Sequence, residues 1–213
     1  MHRLSGLALL LLILTGTAAW AQNRAGAFDH YVLALSWMPA FCTLEGESRN
    51  DERCAPGQRH GWMLHGLWPQ HRGGAWPEYC PTSARNPSRR ETAAQAALFG
   101  RSGAAWHQWN KHGRCTGLSA PDYYRLSQLA WDRVQLPEVF GRIDAALRLA
   151  PAVVVEAFAE ANPDIPPEAM VTTCRDGLLS EIRICLTRDL EPRACDAEMR
   201  RCTRRQTELP PLR

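Results

Sequence analysis

The sequence predicts a single α+β domain stapled by four disulfides. An apolar, β-rich run at residues 31–37 and an alternating run at 181–186 bracket a series of helical segments. Eight cysteines, an even number, all follow a stretch that reads as an export leader. In an oxidising compartment such cysteines pair with one another.

The leader comes first. His2 and Arg3 precede an apolar run at residues 7–14, and Ala19-Trp20-Ala21 fits a small-x-small cleavage site. The run is too short to span a bilayer, which takes ~20 apolar residues. Residues 1–21 are therefore expected to be removed, leaving residues 22–213 exported, to a periplasm or outside the cell. Losing Arg3 lowers the formal net charge from +3 to +2. So nearly neutral a chain offers no bulk attraction for nucleic acid, and any such site has to be a local groove. Of the 25 basic residues, all but Lys111 are arginine. With the abundant alanine, this bias favours a bacterial source. It also singles out Lys111, since an ordinary surface charge here is arginine.

The elements follow in order. Residues 31–37 form a mostly apolar strand ended by Pro39, and its composition suits a central position. Residues 43–60 are a polar loop tied by Cys42 and Cys54. A second apolar run, 62–68, contains His65 and Gly66. Residues 70–90, rich in Gly, Pro and Arg, read as loop. Residues 91–99 read as a short helix. A second helix starts near Ala104 and ends at Gly113 as a C-cap. Another opens at Ser119-Ala120-Pro121-Asp122 and runs through Trp131. One or two helices are expected within 136–161, before Asn162-Pro163 and Pro166-Pro167 break the chain. Residues 181–186 alternate as a half-buried strand, and the polar tail 203–213 is expected to fray.

The cysteines are Cys42, Cys54, Cys80, Cys115, Cys174, Cys185, Cys195 and Cys202. Eight allow on the order of a hundred pairings. Metal binding is the rival use, but no C-x-x-C occurs and no Cys stands at zinc-finger spacing from His.

The chemistry gathers in two segments. On a helix, with about 100° per residue, His107, Gln108, Lys111 and His112 fall within roughly a 140° sector. Two imidazoles and the single lysine on one face, flanked by Trp106 and Trp109, make an unusual solvated surface. His65 sits in Met63-Leu64-His65-Gly66-Leu67-Trp68-Pro69, where a lone histidine would ordinarily be a satisfied core residue. Gly66 beside it permits close approach by a neighbour or ligand. Two histidines on separate elements suit general acid–base chemistry near neutral pH. RNA offers a matched reaction: its 2′-OH attacks the adjacent phosphorus while the 5′-oxygen leaves with a proton. The phosphorane carries extra negative charge for Lys111 to stabilise. DNA lacks the 2′-OH, and no metal or cofactor is required. A zinc hydrolase using His65, His107 and His112 is the weaker alternative, since His107 and His112 are not at the i, i+4 spacing of H-E-x-x-H and no acidic ligand lies nearby. The other histidines, His30, His60 and His71, read as exposed or locally bonded.

At these segments the chain resembles the ribonuclease T2 family. Leu64-His65-Gly66-Leu67-Trp68-Pro69 matches its first signature. Trp106-His107-Gln108-Trp109-Asn110-Lys111-His112-Gly113-Arg114-Cys115 matches its second, roughly W-x-H-E-W-x-K-H-G-T-C with variation. Residues 28–37 and 179–185 look like its opening and late strands, so the resemblance covers about 28–202. It implies a central antiparallel sheet flanked by helices. It implies the pairings Cys80–Cys115, Cys174–Cys202 and Cys185–Cys195, with Cys42–Cys54 as the remainder. It implies an endoribonuclease, monomeric and without cofactor, with His112 as base, His65 as acid, His107 on the phosphate, Lys111 on the phosphorane and Trp68 stacking a base. Gln108 stands where the family usually has Glu. It keeps the acceptor oxygen but neither the charge nor the proton, so a relative that binds RNA without cleaving it is the second alternative. Ser36 and Gln70 occupy positions where some relatives contact a base, and broad base specificity is expected.

Overall fold

The computed structural model describes residues 23–213; the leader expected at 1–21 lies outside the described residues. The chain opens with β1 (His30–Trp37), a short α1 (Met38–Phe41) and a π-helical turn at Cys42–Gly46. After β2 (Trp62–Gln70) come α2 (Arg89–Ala94), α3 (Ala96–Phe99), α4 (Ser102–Lys111) and α5 (Ala120–Asp132). Then follow β3 (Leu147–Leu149), α6 (Pro151–Ala161), β4 (Met170–Arg175), β5 (Leu178–Leu186) and β6 (Thr207–Leu209).

The sheet runs β2-β1-β5-β6-β3, with β4 on β5. Its pairs are antiparallel except for one parallel contact, Leu178 with Glu208. β1 lies inside the sheet, as its apolar composition predicts. Period-two alternation gives the sheet two unlike faces. Leu33, Leu35 and Trp37 of β1 join Trp62, Leu64, Leu67, Ile182 and Ile184 in the main core, against Trp109 of α4, Tyr123 of α5 and Phe158 of α6. The other face carries only a small cluster of Val32, Ala34, Trp68, Val171, Cys185 and Met199. Beyond that cluster it is polar.

Several expectations change. The helix expected at 91–99 starts earlier, on a capping box between Ser88 and Glu91, and breaks at Gln95. Within 136–161 a 3-10 helix at Glu138–Arg142 and α6 form, as expected, with the strand β3 between them. Pro151 opens α6, where a missing N–H costs nothing. β4 was not anticipated. The tail does not fray. β6 pairs with β3, Leu209 is fully buried, and the Trp37 indole donates to Pro210 O at 2.9 Å. A buried indole N–H needs an acceptor, and the tail brings one despite its polar composition. Gly113 is not a left-handed C-cap; that conformation comes at Gly117, φ 79°. Gly113 is small because a Cβ there would stand 2.6 Å from Trp109 and 2.7 Å from Tyr123. His30 is buried, with Nδ1 lacking a hydrogen bond, so it is neither exposed nor locally bonded there.

The four disulfides are Cys42–Cys54, Cys80–Cys115, Cys174–Cys202 and Cys185–Cys195. These are the pairs the resemblance implies. Among the described residues, no helix is long and apolar enough to cross a membrane.

Candidate active site

The polar face of the sheet opens into a cleft of about 740 Å³. His65 reaches it because β2 carries a bulge. Ala34 pairs with Gly66 and Leu35 with Leu64, so His65 is an extra residue with no partner on β1. A bulge of this kind re-aims a side chain. It also explains why the core positions of β2 run Trp62, Leu64, Leu67, with the alternation broken at His65. Gly66 permits the close approach expected of it: a Cβ there would collide with Gln108 Oε1 and Trp68 Nε1.

β5 supplies two residues that the sequence reading did not single out. Glu181 pairs in register with Ser36 of β1 and Thr173 of β4. Its Oε1 lies 2.6 Å from His65 Nδ1, and its Oε2 accepts from Arg183 Nε and Nη2 at 2.9 and 2.7 Å. Burial works to raise the Glu181 pKa. The hydrogen bond and charge of His65, with the charge and hydrogen bond of Arg183, overcome this and bring it to about 2. An ionised carboxylate can only accept, so Nδ1 of His65 carries the proton and Nε2 is its other, unassigned nitrogen. The alternation at 181–186 predicted the strand, but its polar side points into the cleft instead of open solvent. Acid and base at i and i+2 on a strand otherwise buried on both sides were the available signal.

α4 forms the facing wall. His107, Gln108 and Lys111 all line the cleft. His112 departs from the face it was expected to share. It is the C-cap of α4, with φ −117°, so the helical projection no longer applies. Its imidazole is 5% exposed, does not line the cleft, and stacks on Trp68 at 5.1 Å between ring centroids. Its Nδ1 has no hydrogen-bond partner among the described residues. Burial first, then the charges of Lys111, His65 and His107, push its pKa down to about 2. His107 is lowered as well, by burial and by Lys111. Lys111 Nζ lies 3.4 Å from Glu78. That neighbour is delivered by the Cys80–Cys115 disulfide and by a Tyr79 N–H donating to Lys111 O at 2.8 Å.

Trp68 is not open to a nucleobase. It is 8% exposed, with His112 stacked on it, His65 edge-on at 4.9 Å and the Arg183 guanidinium over it at 5.2 Å. Its Nε1 donates to Gln108 Oε1 at 2.8 Å. Trp68 therefore sits between the two histidines and packs against both. The Gln108 oxygen does the accepting that a carboxylate would do there. Ser36 lines the cleft, while Gln70 is buried and donates to Pro69 O. Among the described residues, no three or more His, Cys, Asp or Glu side chains converge to hold a metal ion.

Comparison with known proteins bears on the family and the fold. The model of the Ribonuclease T2 family matches residues 28–195. A ribonuclease of Aeromonas hydrophila is 36% identical over 144 residues, covering 68% of this chain and 62% of that protein. The chain thus spans about half to two thirds the length of the curated relatives it matches. An RNase-related protein from Calystegia sepium superposes with a TM-score of 0.68 at 17% identity, over 86% of this chain and 97% of that one. Trichomaglin, described as a novel S-like ribonuclease, gives 0.67 at 19% identity, over 87% and 99%. At such identities the two structures speak for the fold alone.

Proposed function

The chain belongs to the ribonuclease T2 family, and on that footing we propose that it is an exported endoribonuclease of single-stranded RNA. It works by attack of the 2′-OH on the adjacent phosphorus, without a metal or cofactor, as a monomer and with low base specificity. The products are 2′,3′-cyclic phosphates and then 3′-phosphates, and DNA is spared for want of the 2′-OH.

One observation carries the reading. Two imidazoles lie 4.9 and 5.1 Å from one shared indole, so their centroids are at most about 10 Å apart, and their surroundings are opposite. His65 is held through Nδ1 by the ionised Glu181, which leaves Nε2 as the nitrogen that meets the leaving oxygen. His112 is kept neutral, as a base must be. His112 takes the proton of the 2′-OH, and O2′ forms its bond to phosphorus. The P–O5′ bond breaks, and O5′ takes a proton from His65 Nε2. In the second step the roles reverse: His65 takes a proton from water, whose oxygen attacks phosphorus, the P–O2′ bond breaks, and His112 returns its proton to O2′. Lys111, His107 and the Gln108 amide face the phosphate and the charge that grows on it.

A pKa near 2 makes His112 a weak base before substrate arrives. Part of that depression comes from Lys111, His65 and His107. A phosphate anion among them offsets their charge, so the substrate itself returns to His112 the part of its basicity that those charges remove. Catalytic contacts that are loose in the free protein commonly tighten on binding.

The test is incubation of the purified protein with RNA in EDTA across pH 4–8. Appearance of 2′,3′-cyclic phosphate ends is the expected result. Absence of cleavage over that range, with RNA still retained, defeats the reading in favour of an RNA-binding relative. Activity that needs added zinc defeats the metal-free mechanism.

A further inference from the structure

The cleft extends beyond the residues that the proposed reaction uses. Its far arm is built by the segment between β1 and β2, by the start of α4 and by the end of β4. Four arginines stand there around two carboxylates. Glu45 pairs with Arg49 at 2.7 Å and also with Arg175; Asp51 pairs with Arg53 at 2.8 Å and Arg101 at 3.3 Å. Asp51 is held down to about 2, first by its hydrogen bond from Arg53, and Glu45 is lowered, first by Arg175. Both acids are therefore ionised at neutral pH, and even with the exposed Asp176 3.9 Å from Arg175 the arm keeps an excess of positive charge. The side chains of Arg49, Arg101 and Arg175 are 66%, 43% and 41% exposed. In a nearly neutral protein this is a local concentration of cations, already oriented by their carboxylates and still open to an incoming anion.

α4 connects this arm to the reaction centre. Arg101 immediately precedes it and Lys111 ends it. At 1.5 Å per residue the two are about 15 Å apart along the helix. Between them Gly103 and Ala104 line the cleft with almost no side chain, and Trp106 lines it with a ring that is 40% exposed. Trp68 is buried, so Trp106 is the indole of this cleft with a face to offer.

We propose that the arginine arm is a subsite for the phosphodiester backbone of RNA flanking the scissile bond, with Trp106 stacking the base in between. The proposal rests on the ribonuclease reading above. Guanidinium groups pair with phosphate oxygens through two parallel hydrogen bonds, and stacking on an indole tolerates any base. The protein thereby selects chains over short fragments.

The test compares two substrates with the same scissile step: a dinucleoside monophosphate, which has only the reacting phosphate, and a hexanucleotide. The variant is Arg49→Ala/Arg101→Ala, which leaves each carboxylate one guanidinium and removes no buried side chain. For the hexanucleotide, kcat/KM should fall about tenfold or more. The slope of log kcat/KM against log salt should flatten by about 1.4 for two lost phosphate contacts. For the dinucleoside monophosphate, kcat/KM should change by no more than about twofold. Trp106→Ala should weaken the hexanucleotide by about tenfold, as loss of one stacked base does. Equal losses on both substrates, or no loss on either, overturn the subsite. Fluorescence anisotropy of an all-2′-deoxy hexanucleotide, which cannot react, reads the arm without turnover. The double variant should bind it about tenfold more weakly, and unchanged binding overturns the proposal. If the unaltered protein cleaves neither substrate, the ribonuclease reading fails while the anisotropy still judges the arm.

Discussion

His65 and His112 are the same side chain in two contrasting settings. His65 stands on a bulge, partly exposed, with its Nδ1 proton on an ionised Glu181. His112 is buried at a helix end, stacked on Trp68, with no partner on Nδ1 among the described residues. The first setting supplies an ionised partner that fixes the ring and its Nδ1 proton. The second supplies burial and nearby positive charge and favours imidazole. Burial and charge separate an acid from a base here with no difference in residue type, the general route by which paired titratable groups acquire distinct roles.

The broadest way to break the comparison is to delete either ring. His65→Ala and His112→Ala should each lower kcat on RNA by at least ~10³-fold, within the ~10²–10⁴-fold that a single acid or base contributes. Quench-flow or gel assays of RNA cleavage measure this. Retention of more than a tenth of the activity by either variant removes that histidine from the mechanism.

Next in size is Glu181→Gln. The amide keeps the shape but withdraws the negative charge beside His65 Nδ1. A drop in kcat of about 10- to 100-fold is expected. Glu181→Asp, which restores the carboxylate, should retain more activity than the Gln variant, whereas a merely structural role would favour the isosteric Gln. Smaller still is Gln108→Glu. Its carboxylate would still accept from Trp68 Nε1 and would add an anion near His112 and Lys111. Negative charge favours the protonated form of His112, so the acid limb should move to higher pH, with kcat changed by less than about tenfold. An unmoved acid limb would mean that residue 108 acts on Trp68 alone.

Much of this site could be read from the sequence because it lies in two contiguous segments. His65, His107, Gln108, Lys111 and Trp68 are identified there, and so are the four disulfides once the resemblance is admitted. Glu181 and Arg183 were legible only as alternation on a strand. Their meaning depends on β5 lying beside β1, with Glu181 opposite Ser36, a pairing between distant parts of the chain. The same holds for β3 and β6, whose three-residue strands carry too little pattern to be recognised before they pair. The placement of His112 failed for a local reason. A projection at 100° per residue assumes helical dihedrals through residue 112, and the helix ends one residue earlier. The burial of Trp68 was not legible because exposure is a property of packing: the neighbours that converge on its ring come from β2, β5 and the end of α4.

The smallest effect expected concerns stability. The folded protein holds His112 neutral with a pKa of about 2, whereas the unfolded chain takes up a proton near 6.5. Below pH 6.5 the unfolded state therefore binds more protons at this residue, and acid costs stability. The contribution is fully present above pH 6.5 and is lost progressively as pH falls toward 2. At about 1.4 kcal/mol per pH unit, the His112 share between pH 6.5 and 5 is at most about 2 kcal/mol, or roughly 4–8 °C in Tm for a domain of this size. His112→Phe keeps a flat ring for stacking on Trp68 and cannot titrate. Its Tm, followed by calorimetry from pH 7 to 5, should fall less than that of the unaltered protein by several degrees. Glu181 remains in both proteins, and its own loss of charge comes later, between about pH 4.5 and 2, so it does not mask the difference. Parallel falls in the two proteins would show that His112 accepts its proton in the folded state near the ordinary value, and the opposition between the two histidines would then rest on Glu181 alone.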